Sequence, residues 1–320
     1  MFNNFVVKKI LTLIVMCSSF YCPAQNNNTF LWRIENPSAK TVSYLFGTIH
    51  VPQKKFMNLS DSVYKAMSAA KEFYTEIDFN NMYTEMADDN DGFYLSKLNY
   101  LDSVKKTSAW KKLVTNINKT YHSNIDPDSL DQFADFGNKL TANYLKPEPG
   151  ITAMDIALAS LAKKTGKKCG GLETYKFQVG MMYDIIDARL NDTTMLFDDD
   201  IIVAENLEKF YVTQEFDSLT KLINSINVNY RKIVFDNRNA GMAASIQKIS
   251  STKTAFFAVG CGHLLGPYGI LNILRQKGFG VSPVFSAKKS DLNAISNMVG
   301  AVTASLKALP EGLLPKPVKQ

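Results

Sequence analysis

The sequence predicts an α/β protein: a mixed, largely parallel sheet built from βαβ units, with an N-terminal hairpin and helical insertions. Three observations predict it. Two apolar runs, "SYLFGTIH" ending at His50 and "FFAVGCGH" ending at His263, each place a glycine three residues before a histidine. Each run belongs to a strand–helix–strand pattern of roughly 30–40 residues. Between the two patterns lie long polar stretches with helical periodicity.

The first 24 residues read as a signal peptide. Lys8 and Lys9 precede an apolar stretch over 10–20 that is too short to span a bilayer, and Ala24 is a small residue suited to the position before a cut. This predicts export to the periplasm or cell surface. The alternative is a lipoprotein acylated at Cys22, which Phe20 and Tyr21 disfavour. Residues 25–285 then form one α/β domain, followed by a tail over 286–320.

Within the domain, "FLWRIEN" and "TVSYLFGTIH" read as a hairpin joined by "NPSAK". Next comes a helix with Ser60 as N-cap and Val63, Met67 and Ala70 on one face. The strand "EFYTEID" follows, carrying Glu76 and Asp78 at its end. Residues 80–145 form a first helical insertion, in which "SLDQFADFGNKLTANYL" is one amphipathic helix. "ITAMDIALASLAKKTGKK" is a helix with Ile151, Met154, Leu158 and Leu161 as its apolar stripe and Gly166 as its stop. "KKCGGLE" is a short strand running into Glu173. A second helical insertion covers 180–228. The last unit is the strand "TAFFAVG", the helix "ILNILRQKG" with Pro267 in its first turn, and the strand "FGVSPV". In the tail, Leu292, Ile295, Val299, Val302 and Leu306 recur at helical spacing, expected to pack on their own domain rather than on a membrane or partner.

Composition narrows the class. The 320 residues are 46% hydrophobic and 21% charged, as in a soluble protein with a sizeable core. The formal charge is +6, and loss of Lys8 and Lys9 lowers it by two; this is too mild for a nucleic-acid-binding protein. Cys17 and Cys22 lie in the leader, so Cys169 and Cys261 remain; no disulfide framework is expected, although that pair is left open.

The two GxxH stretches occupy equivalent places, just past the C-terminal end of a strand, where ligands bind in open α/β sheets. Gly47 and Gly260 are expected to let the backbone bend there. Two imidazoles on one rim suit a divalent transition metal such as Mn, Co or Zn. Two ligands are too few for a catalytic site, so carboxylates must complete it. Glu76 and Glu173 are the candidates, one as ligand and one as general base, with Asp78 a weaker option. His122 lacks this context and reads as a surface residue.

"LFGTIHVP", "YTEIDF", "KKCGGLETYKFQ", "DNRNAGMAASI" and "FFAVGCGHLLGPYGILNILRQKGFGVSPV" together resemble the TraB/GumN family, which includes the TIKI metalloproteases. The resemblance runs in order over about 30–285. It implies that His50 and His263 are essential and that Glu76 and Arg238 are family features. It implies Mn- or Co-dependent peptidase activity for the TIKI branch and a distant relation to erythromycin esterase-like proteins. Arg238 then has two readings: stabilising an oxyanion, or pairing with a substrate carboxylate. Without the family it is a helix-surface arginine or a partner of Asp236. Asn239 is expected to point elsewhere and act behind the site; Gln178 is a candidate wall residue.

The leading expectation is a metal-dependent hydrolase, a peptidase first, with water activated at a His50/His263/Glu76 site and a peptide or small polar substrate in the strand-end cleft. The alternatives are a metal-independent His/Glu hydrolase and a non-catalytic peptide- or glycan-binding module. Membrane contact is expected only through a lipid on Cys22 or the tail helix.

Overall fold

The computed structural model describes residues 29–285. The signal-peptide pattern with Cys22 and the tail helix lie outside the described residues.

β1 (Leu31–Asn36) and β2 (Thr41–Thr48) form the expected hairpin, paired antiparallel with Leu31 opposite Phe46. α1 (Asp61–Ala69) buries Val63, Ala66 and Met67. Ser60 stands at its N-cap, but the Ser60 side chain bonds Ser62 Oγ at 2.9 Å rather than the helix backbone. β3 (Glu72–Ile77) follows, and its last three residues are buried.

The first insertion contains α2 (Met82–Ala87), α3 (Phe93–Val104), α4 (Ser108–Tyr121) and α5 (Leu130–Leu145). Its own small core comprises Val104, Trp110, Leu113, Val114, Ile117 and Ile125, joined by Leu196 from the second insertion. Trp110 is buried with its indole N–H donating to Pro127 O at 2.7 Å, so its one polar group is satisfied.

α6 (Met154–Lys164) and β4 (Lys168–Glu173) return the chain to the sheet. Ile151 lies before α6 rather than in it, and Gly166, at φ +75°, turns the chain out of the helix. The second insertion holds α7 (Tyr175–Asn191), α8 (Asp198–Thr213) and α9 (Phe216–Ser225). α10 (Val228–Arg231) runs through a π-turn at Lys232–Asp236 into α11 (Asn237–Ser250). β5 (Ala255–Gly260), a 3-10 turn at Cys261–His263, α12 (Ile270–Gln276) and β6 (Gly280–Pro283) complete the domain. Pro267 lies before α12, not in its first turn, because the helix begins only at Ile270.

The six strands form one sheet in the order β4-β3-β5-β2-β1-β6. β2, β3, β4 and β5 are mutually parallel, while β1 pairs antiparallel with both β2 and β6. Each strand–helix–strand unit therefore joins strands that run the same way but are not neighbours. β5 lies between β2 and β3, and β6 reaches the edge beyond β1. β5 is central and every one of its residues is buried, which is why "AFFAVG" is an unbroken apolar run rather than an alternating one. Parallel order brings the C-terminal ends of β2, β5 and β3 side by side on one rim. Among the described residues no helix is long and apolar enough to cross a membrane.

Candidate functional site

Three adjacent strand ends deliver the site. His50 follows β2, Glu76 is the penultimate residue of β3, and His263 closes the 3-10 turn after β5. The Glu76 carboxylate is the meeting point. Its Oε1 accepts from Gly260 N at 2.7 Å and lies 3.5 Å from His50 Nε2 and 3.7 Å from His263 Nε2. Its Oε2 accepts from Arg238 Nη2 at 2.6 Å.

The glycines of the two GxxH stretches are explained by space, not by bending. Neither Gly47 nor Gly260 has a positive φ, which corrects the expectation from sequence. A Cβ on Gly260 would lie 2.9 Å from His50 Nε2 and 3.1 Å from Glu76 Oε1. A Cβ on Gly47 would lie 2.6 Å from Leu264 Cδ1 and 3.1 Å from Phe30 Cδ1, inside the core. Gly260 makes room for the site and Gly47 for the packing beneath it.

Arg238 is buried and each of its guanidinium nitrogens is engaged. Nε and Nη2 hold Glu173 at 2.7–3.2 Å, and Nη1 donates to Val234 O at 3.3 Å and faces His263 Nε2 at 3.3 Å. Asp236, the alternative partner weighed from sequence, pairs with Arg231 instead at 3.2 Å. Glu173 thus serves as the counter-charge of Arg238, and Gln178 Nε2 lies 3.2 Å from its Oε2 and 3.4 Å from Glu76 Oε2. Asn239 does not point away, as expected from helical spacing: its Oδ1 lies 2.7 Å from His263 Nδ1 while its Nδ2 donates to Tyr268 O at 2.9 Å. Both neighbours on α11 reach one ring because they approach its two opposite nitrogens. The π-turn immediately upstream is a local widening of the kind that often accompanies functional sites.

Two contributors escaped the sequence reading. Asp155, in the first turn of α6, places Oδ2 3.3 Å from His50 Nδ1. Its signal was present: an acid among the buried residues Met154, Leu158, Ala159 and Ala162 of one helical face. Tyr211 of α8 donates its hydroxyl to Gly47 O at 2.9 Å and stacks on Phe30, tying the second insertion to the end of β2. Nothing local in the sequence marks it. Asp78 turns away and caps Asn80 N at 3.0 Å, and His122 is an exposed left-handed residue closing α4. Cys169 and Cys261 are both free thiols. Burial pushes the Cys261 thiol up to about 12, so it packs and does not act as a nucleophile.

The two imidazoles are prepared differently. Half of the His50 side chain is accessible, although it lies in a dense part of the molecule. Burial disfavours its charge, but Asp155 and then Glu76 outweigh this and raise its pKa well above 6.5. His263 is buried, and desolvation drives its pKa down to about 3, against the pull of Glu76 and with Arg238 adding to the fall. Burial would raise Glu76; the charges of His50 and Arg238, joined by His263 only when that ring is protonated, hold it well below the ordinary range instead. With His263 neutral, the charges that keep Glu76 ionised are His50 and Arg238.

Two imidazoles and a carboxylate are the ligand types of a borderline divalent transition metal. Each Nδ1 faces a side-chain oxygen, which leaves each Nε2 directed at Glu76, the usual orientation of metal-binding histidines. The types and orientation fit. As the side chains stand, no three among the described residues close around one point, and Arg238 Nη1 faces the His263 nitrogen that would have to bind.

A sequence profile of the TraB/PrgY/gumN family matches residues 30–283. The chain belongs to the TraB/PrgY/gumN family. Among curated relatives it is 23% identical to metalloprotease TIKI2 of Danio rerio, over 79% of this chain and 60% of that protein. It is 24% identical to metalloprotease TIKI2 of Xenopus tropicalis, over 84% and 63% respectively. It is 26% identical to a metalloprotease TIKI homolog of Amphimedon queenslandica, over 87% and 66%. The chain thus spans 60–66% of the length of these relatives. No solved structure matches it. For a member of this family, the matched segment contains every site residue described above.

Each of these contacts has a measurable consequence. Gly47→Ala is expected to lower stability by about 1–3 kcal/mol in denaturant unfolding, through overpacking. Gly260→Ala should instead displace His50 and Glu76, visible as altered histidine NMR signals. Arg238→Met strands two buried carboxylates and should cost about 3–5 kcal/mol. Arg238→Met/Glu173→Gln should cost less than Arg238→Met alone, and simple additivity would contradict the ion-pair account. The pH dependence has a definite sign for His263. The unfolded chain takes up this proton near 6.5 and the folded chain only near 3, so metal-free protein loses stability as pH falls between them. This one group should contribute about 1.4 kcal/mol per pH unit, a slope absent from His263→Asn.

Proposed function

We propose that this chain is a metal-dependent hydrolase, a peptidase in the first instance, with Mn, Co or Zn held by His50, His263 and Glu76. The observation that carries the proposal is the convergence of two imidazole Nε2 atoms on one Glu76 oxygen, at 3.5 and 3.7 Å. The relatives named metalloproteases support the same class. A divalent ion would supply Lewis acidity toward water and a substrate carbonyl. The chain's own residues do the rest. Glu76, kept anionic by Arg238, supplies the central negative charge. Asn239 holds the His263 ring by Nδ1. Glu173 keeps the guanidinium beside Glu76, and exposed His50 faces the substrate side of the rim. The substrate is a peptide or small polar molecule reaching the rim between β2 and β3, not a nucleic acid. The leader pattern at 1–24 supports action outside the cytoplasm; membrane contact would come only through Cys22 or the tail.

A second reading is favoured by Arg238, whose guanidinium already places a positive charge against His263 Nε2 and Glu76. In that reading no ion is needed. Above the raised pKa of His50, where its ring is neutral, His50, backed by Asp155, accepts the proton of water directly as general base.

The experiment is chelated, purified protein given Mn, Co or Zn and a mixed peptide library, read by mass spectrometry. Cleavage that needs an ion and falls by about 100-fold or more in His50→Ala and His263→Ala is expected. Cleavage indifferent to chelation selects the second reading. Stoichiometric peptide retention without turnover, surviving His50→Ala, marks a binding module.

A further inference from the structure

Asp155 is an expensive residue to bury. Its side chain is 8% accessible, and its Oδ1 has no hydrogen-bond partner. An orphaned carboxylate oxygen in the interior costs free energy that one long contact does not recover. Its position in the first turn of α6 offsets part of this, since a helix N-terminus favours negative charge. That offset is available to an acid facing solvent too. It does not explain why the acid occupies the buried face beside Leu158 and Ala159.

His50 supplies the reason. Its ring is half accessible, so packing alone does not hold it. The contrast with His263 is direct. That ring is buried, approached by Asn239 and Arg238 at opposite nitrogens, and packed against Phe235 at 5.2 Å between centroids. His50 has two polar neighbours among the described residues, Glu76 at Nε2 and Asp155 at Nδ1. Without Asp155 nothing at the Nδ1 edge distinguishes one tautomer or rotamer from another.

We infer that Asp155 is the positioning residue of His50: it accepts the Nδ1 proton, fixes the ring, and keeps Nε2 directed at Glu76. It is the counterpart of Asn239 on the other imidazole, supplied by a different helix. A neutral acceptor suffices for the buried ring; the exposed ring has a charged one. The consequence for metal binding rests on the proposed function, because it treats His50 Nε2 as a ligand atom. The tautomer does not rest on it.

The test uses the whole chain with 15N-labelled histidine, metal-free and at alkaline pH, where the rings are neutral. Wild type should show His50 with the proton on Nδ1. Asp155→Leu, of similar volume and without an acceptor, should move His50 toward the Nε2–H form that free imidazole prefers, leaving His263 unchanged. Asp155→Ala is the second variant should leucine disturb α6. Asp155→Asn should keep the Nδ1–H form, as Asn239 does for His263. Binding of Mn or Zn alone, by calorimetry, should weaken by about 10–100-fold in Asp155→Leu. A His50 that stays Nδ1-protonated in Asp155→Leu and Asp155→Ala overturns the inference. Wild type that binds no ion would count against the metal reading only, since the NMR result stands without it.

Discussion

The arrangement turns on the ionised carboxylate of Glu76. It is nearly buried, and a buried anion persists only where every side of it is compensated. A backbone N–H from Gly260, a guanidinium from Arg238 and an imidazole from His50 provide that compensation. Each comes from a different element, so the carboxylate ties β5, α11 and the segment after β2 to the end of β3. The requirement explains why β2, β5 and β3 end level on one rim and why a side chain at Gly260 would push against His50 and Glu76.

The same charge divides the two histidines. His263 lies among buried groups beside a fixed cation, and both effects keep it neutral. His50 lies at the surface between two carboxylates and holds a proton more tightly. Groups with opposed environments in one site commonly carry different parts of a reaction. The rim is accordingly asymmetric: a buried, neutral imidazole on the inside, and a half-accessible one that holds its proton on the outside.

The helical insertions extend the site's support rather than hang from the sheet. Gln178 of α7 reaches both glutamates, and Tyr211 of α8 holds the carbonyl of Gly47. Their own small core around Trp110 gives the first insertion independent packing. In this chain the strand-end apparatus is framed by helices that contact it at a few polar points.

The sequence by itself determined the strands, the hairpin, most helices, and the candidate histidines and glutamates, because those rest on local periodicity and on residue types at strand ends. "AFFAVG" reads as a buried strand and "GTIH" as its exit without knowledge of the fold. Only the tertiary structure decided what Glu173, Asp155, Tyr211 and the two glycines do. Glu173 and Arg238 meet across the fold, as do Asp155 and His50, and no periodicity encodes a contact between distant segments. The glycines look like hinges in a linear reading. In space they are clearances, because what forbids a side chain there is an imidazole or a leucine brought in by another part of the chain.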